Sequence, residues 1–213
     1  VINRNPRAKL QAVGYDSKGR KQYLYSKQHS EKASAEKFSR LKSFDKHLPK
    51  IRSIIERRAA NREEALILYL IDKTGFRIGS DKETLAKEKA YGASTLLGKH
   101  VQIDGSKISF NFIGKKGVHI KKIINEPLLA QLLQKRIKAP DKKLFNKEDS
   151  DVRGFLHSIT GRPFNIKDFR TWQGTNLALN LLKKYKIPNI KIDFVKFRKE
   201  IAKRVSEHLG NTP

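Results

Sequence analysis

Apolar residues from Ser34 onward recur at three- and four-residue spacing: Phe38, Leu41, Phe44 and Leu48, then Ile51, Ile54 and Ile55 beyond Pro49. That spacing is one face of a helix turned toward a core. The stretch "REEALILYLIDKTG" sets an acidic start before a continuous apolar run and stops on Gly75, which predicts a buried helix with a glycine after its C-terminus. In "HVQIDGSKISFNFIGKKGVHIKKII" the period changes to two. Ile108, Phe110 and Phe112 alternate with Lys107, Ser109 and Asn111, with turn signals at Asp104-Gly105 and at residues 114–117, so a small antiparallel meander is expected with Lys115 and Lys116 at a hairpin tip. Helical patterns follow at Pro127 to Lys135, Asp149 to Ile159, Lys167 to Tyr185 and Asp193 to Leu209, the last with Phe194, Phe197, Ile201, Val205 and Leu209 on one face. Before all of these, residues 1 to about 28 hold short extended runs around turn signals at Asp16-Ser17 and Lys18-Gly19, a β segment too small to fold alone. The expected fold class is α+β, mainly helical with a small antiparallel sheet.

Charge changes the picture. The chain has 213 residues with 47 Lys+Arg against 21 Asp+Glu, a formal net charge of +26, far beyond what solubility requires. A polyanion is the expected partner, and nucleic acid fits better than a membrane surface, because the basic residues are spread along the chain and no long apolar run stands out. A solvated, lysine-rich surface is the alternative. There are no cysteines and the six histidines have no ligand spacing, so no metal and no other cofactor is expected. With no signal peptide or membrane span in the pattern, the expected location is the cytoplasm or nucleoid, or a virion if the source is viral.

Three cations have neighbours that restrict them. Arg77 lies between Gly75 and Gly79, Lys115 follows the Gly114 turn, and Arg170 stands between Phe169 and Trp172. Fixed guanidiniums grip two nonbridging phosphate oxygens and stabilise the charge that develops on a phosphodiester, and a lysine protonates a leaving alkoxide. On these grounds alone the surface or N-cap cation is the more common reading of each.

The segments "TGFRIG", "FIGKKG", "IKDFRTWQGTN" and "LGNTP", in this order, resemble the successive active-site segments of type IB DNA topoisomerases of the poxvirus and bacterial kind, and "LQAVGYDSKGRKQYLY" resembles the end of their N-terminal β domain. The resemblance runs essentially from end to end. It implies the catalytic fold shared by these enzymes and the tyrosine recombinases, with residues 1–33 the last part of a β DNA-clamp domain and residues 34–213 the catalytic domain. By the same resemblance Arg77 and Arg170 clamp the scissile phosphate, Lys115 protonates the departing 5′ oxygen, and Lys167 is a supporting basic position. Asn211 stands where poxvirus members carry a histidine; its amide donates the same hydrogen bond without a charge. Arg20 and Lys21 are implied phosphate contacts, with Gln22, Tyr23 and Tyr25 on the major groove or the sugar-phosphate backbone. Packing of a small sheet is the other reading of those tyrosines. Residues 78–89, "IGSDKETLAKEK", lack the basic and aromatic residues of the poxvirus recognition helix.

In this family the nucleophilic tyrosine comes shortly after the "LGNTP" segment. Tyr15, Tyr23, Tyr25, Tyr69, Tyr91 and Tyr185 all precede it, so truncation or tail disorder before the nucleophile is expected, leaving this piece inactive by itself. The implied activity is relaxation of supercoiled duplex DNA by a monomer, independent of metal and ATP. A tyrosine site-specific recombinase is the alternative, although recombinases usually place histidine where Lys167 stands; a nonenzymatic DNA-binding relative is the third reading.

Overall fold

The first alternating run forms a hairpin, with β1 (Leu10–Tyr15) paired antiparallel to β2 (Lys21–Tyr25) so that Val13 faces Tyr23 and Gly14 faces Gln22. The computed structural model describes residues 1–17, 19–80, 88–185 and 191–211. Of the turn signals expected in this hairpin, Lys18 lies outside that set. Asp16 holds the turn: its carboxylate accepts from the Arg20 amide (2.9 Å), Arg20 Nε (2.7 Å) and Gln22 Nε2 (3.0 Å).

Next comes α1 (Lys27–Arg58), longer than the apolar spacing indicated. It starts before Ser34 because residues 27–37 are mostly good helix formers, such as Lys, Glu, Gln and Ala, without an apolar face, and periodicity cannot register those. Pro49 sits inside it, leaving the carbonyl four residues earlier without its helical partner. The chain divides into two compact units, Val1–Ser43 and Phe44–Pro213; the division and the expected boundary at residues 33 and 34 both fall within α1.

The larger unit is built around α2 (Glu63–Thr74), whose residues from Glu64 to Asp72 are all buried. Phe44, Leu48, Ile51 and Ile55 of α1 join that core. The predicted meander is present as β3 (Val101–Asp104), β4 (Lys107–Ile113) and β5 (His119–Asn125), a three-stranded antiparallel sheet in that order. Ile108, Phe110 and Phe112 point inward and are buried. Helices α3 (Pro127–Gln134), α4 (Asp149–Thr160), α5 (Ile166–Lys184) and α6 (Lys191–Leu209) follow, close to the predicted spans. On α5 the Phe169 ring packs edge-on against Phe44 with centroids 4.9 Å apart.

Two apolar positions depart from expectation. Phe38 and Phe194 are 59% and 42% exposed. Helical spacing places a residue on a face, but only a neighbouring element buries it. On α6 Ile201 is buried, and Val205 and Leu209 meet α5 where Gly174 leaves room for them.

Candidate active site

Arg77 owes its position to two glycines. Gly75 ends α2 in the left-handed conformation (φ 71°), and its amide returns to the Ile71 carbonyl at 2.8 Å. The chain then turns Phe76 inward, edge-on to Phe110 and Phe112 at 5.1 and 5.0 Å. Beyond Arg77, Gly79 (φ 94°) lies so close to Gly92 that a methyl at Gly92 would stand 2.5 Å from the Gly79 nitrogen and 2.6 Å from the Arg77 carbonyl oxygen. The Ala93 and Ser94 amides donate to the Arg77 and Ile78 carbonyls at 2.8 and 2.7 Å. Both flanks of the arginine are thereby fixed.

Arg170 lies on α5, which is braced from beneath. Trp172 donates through Nε1 to Asp45 at 2.6 Å, and its ring stacks under the Arg52 guanidinium at 4.9 Å. Arg52 in turn binds the buried Asp72 carboxylate of α2 through Nε and NH2 at 2.9–3.1 Å. From this support Arg170 donates through NH1 to the Gly75 carbonyl.

Asn211 arrives from the other end of the chain. Gly210 (φ 59°) terminates α6 with paired return bonds, its own amide to the Glu207 carbonyl (3.1 Å) and the Asn211 amide to the Ser206 carbonyl (2.7 Å), the pattern of a Schellman cap. The three side chains meet at one atom: Oδ1 of Asn211 accepts from Arg77 NH2 at 2.6 Å and from Arg170 NH2 at 2.7 Å, across a sequence separation of 134 residues in the first case. With Oδ1 so engaged, Nδ2 is the amide's donor toward any oxygen brought into the site.

Lys115 belongs to the same place. At the tip of the β4–β5 hairpin, in a single turn where Lys116 takes φ 65°, it lines a cleft of about 180 Å³ with Arg77, Lys116, Val118 and Asn211. A larger cavity of about 890 Å³, lined by Ala59, Leu66, Lys135, Arg136 and Lys142 among others, contains none of the candidates. Lys167 is exposed one turn before Arg170 on α5.

Burial depresses the clamp cations. Burial, and then the charge of Arg77, lowers the pKa of Arg170 to about 10; burial lowers that of Arg77. Arg170 remains protonated at neutral pH, and two guanidiniums side by side favour an anion between them.

Sequence reasoning missed Lys122. Its Nζ donates to the Thr74 carbonyl at 2.7 Å and the His208 carbonyl at 3.1 Å, and burial followed by the charge of Arg170 lowers its pKa to about 8. His208 is lowered too, by burial and then by Lys122 and Arg170. The signal was present in "HIKKIIN": along β5 the less exposed positions are Ile120, Lys122 and Ile124, so Lys122 occupies the inward register.

In the smaller unit Arg20, Lys21, Gln22, Tyr23 and Tyr25 are all exposed. The tyrosines are not packed away, Tyr23 being 52% and Tyr25 43% exposed. Lys21 stands over the Tyr23 ring at 5.8 Å, while Arg20 and Gln22 share Asp16. The stretch 78–89, read above as lacking the basic and aromatic residues of the poxvirus recognition helix, falls largely outside the described residues, as do Thr212 and Pro213.

Two arginines thus share one oxygen, with a lysine on the same cleft, in an α+β core. The family described as eukaryotic DNA topoisomerase I, catalytic core, matches residues 24–213. DNA topoisomerase 1B of Acanthamoeba polyphaga mimivirus is 34% identical over 197 residues, covering 83% of this chain and 58% of that protein. DNA topoisomerase 1 of rabbit fibroma virus (strain Kasza) is 27% identical over 222 aligned positions, 97% of this chain and 68% of the relative. DNA topoisomerase 1B of vaccinia virus (strain Copenhagen) is 30% identical over 171 residues, 75% and 53% respectively. The chain belongs to the type IB DNA topoisomerase family, on its poxvirus-like side. It spans a little over half the length of the mimivirus and vaccinia proteins.

Proposed function

We propose that the chain is the catalytic part of a topoisomerase that relaxes supercoiled duplex DNA by cutting and resealing one strand through a 3′-phosphotyrosyl link, using neither ATP nor a metal ion. One observation carries this reading: Arg77 and Arg170 converge on a single oxygen, Oδ1 of Asn211. An oxygen held between two guanidiniums is a stand-in for a nonbridging phosphate oxygen. When DNA enters, its phosphate takes that position, Asn211 donates through Nδ2 to a second oxygen, and the two arginines stabilise the charge of the pentacoordinate stage.

A tyrosine hydroxyl in line with the phosphate attacks phosphorus, losing its proton to solvent, while the P–O5′ bond breaks and the departing oxygen takes a proton from Lys115. One phosphodiester is exchanged for another, so the bond energy is kept for the reverse step, and the free 5′ end swivels in between. Tyr69 donates to Glu126, Tyr91 packs against His100, and the Tyr185 hydroxyl accepts from Arg204, so the tyrosines of the larger unit are committed elsewhere. Lys167 adds positive charge beside the clamp. Residues 1–33, with Arg20, Lys21, Gln22, Tyr23 and Tyr25 exposed, act as the end of a β clamp on the duplex, and the larger unit has the tyrosine-recombinase type of catalytic fold. The relatives' names, all DNA topoisomerases, support the same activity.

The test uses the protein carried through its natural C-terminus. It relaxes plasmid in the presence of a chelator, and Lys115→Ala cleaves ordinary DNA slowly but DNA with a 5′-thiolate leaving group at near the wild-type rate. Absence of relaxation by the extended wild type overturns the activity; a Lys115 variant equally slow on both substrates overturns the proton-donor assignment.

A further inference from the structure

We infer that Lys122 is a positioning residue for the phosphate clamp: its ammonium ties together the three chain segments that deliver Arg77, Asn211 and Lys115. The inference rests on the topoisomerase reading for its rate readout but on geometry for its substance.

Three elements converge on one nitrogen. The first is α2, whose Thr74 carbonyl accepts from Lys122 Nζ at 2.7 Å; Thr74 directly precedes Gly75, the acceptor for Arg170, and lies three residues before Arg77. The second is α6, whose His208 carbonyl accepts at 3.1 Å, three residues before Asn211. The third is β5 itself, the strand that descends from the hairpin tip bearing Lys115, with Ile120 packed beneath Gly210. Both accepting carbonyls lie at helix C-termini, where unsatisfied oxygens concentrate negative partial charge. A lysine ammonium has three donors and suits two such ends at once.

The arrangement has an electrostatic cost. Lys122 faces Arg170 on α5 and His208 on α6, and among the described residues no carboxylate offsets its charge. A surface-seeking lysine gains nothing from such a location. The register makes the same point: between Ile120 and Ile124 an isoleucine would fill the inward position, whereas a lysine there serves the two carbonyls. The clamp needs the ends of α2 and α6 held together, because Arg77 and Asn211 share a hydrogen bond from segments far apart in sequence.

The proton donor and the tether are separable by experiment. In the protein with its natural C-terminus, Lys122→Met is expected to lower single-turnover cleavage by about tenfold to a hundredfold, the scale set by small misplacement of reacting groups, with duplex affinity nearly unchanged. Because the loss is one of position, a 5′-thiolate substrate does not rescue it, and Lys122→Arg recovers most of the rate. The side-chain amide resonance of Asn211, assigned with Asn211→Asp, shifts in Lys122→Met without DNA. If Lys122→Met fails to fold, Lys122→Gln, with fewer donors and no charge, takes its place with the same expected direction. Wild-type cleavage and an unshifted Asn211 amide in a folded variant overturn the inference, and rescue by thiolate reassigns Lys122 as a proton donor. Should the wild type itself not cleave DNA, the topoisomerase reading fails, and the amide shift still decides the tether.

Discussion

Lys122 holds its proton less tightly in the folded chain, at a pKa of about 8, than an unperturbed lysine at about 10.4. Between those values the unfolded chain binds more protons than the folded one, so stability rises with pH through that window; below pH 8 the desolvated ammonium exerts its full cost. Lys122→Met removes this term. Urea unfolding at pH 7 and at pH 10, followed by the fluorescence of the single tryptophan, Trp172, is expected to show wild type gaining stability relative to the variant as pH rises. A difference independent of pH means that the ammonium is hydrated. Arg170, at about 10, keeps its charge over most of the same window, so the repulsion acting on Lys122 persists while Lys122 titrates.

At the scale of elements, the cap on α6 does two jobs. Gly210 holds φ 59°, and a methyl there would collide with Cδ1 of Ile120. Gly210→Ala is expected to cost about 1–2 kcal/mol for the left-handed backbone alone, lowering Tm, and to slow cleavage while leaving DNA affinity almost unchanged; equal losses in affinity and rate would place Asn211 in general binding. Much of the element order was legible because the patterns were strong: the apolar run of α2 bounded by Gly75, the alternation of Ile108, Phe110 and Phe112, and the turns on either side. The early start of α1 was not, since its first turns carry no apolar face, nor was the exposure of Phe194, which depends on what packs beside it. Periodicity has no means of showing that Arg77 meets Asn211; their adjacency was implied only by resemblance to a family. Lys122 was passed over because "KK" resembles a solvated pair, although its alternation with Ile120 and Ile124 marked it as inward.

For the whole molecule, a net charge of +26 predicts binding to duplex DNA that weakens steeply with salt, with a log-log slope of roughly −0.9 per phosphate neutralised. Titrations of a short duplex at several salt concentrations measure it, and affinity unchanged between low and physiological salt contradicts the role given to charge. The contact between Gly79 and Gly92 bears on a different question, how such a protein can change over time. Because Gly79 and Gly92 close the backbone into a neck next to Arg77, a change in the length of chain between them is expected to add little closure entropy. Chain length can drift there while the two ends of the neck stay in register beside Arg77.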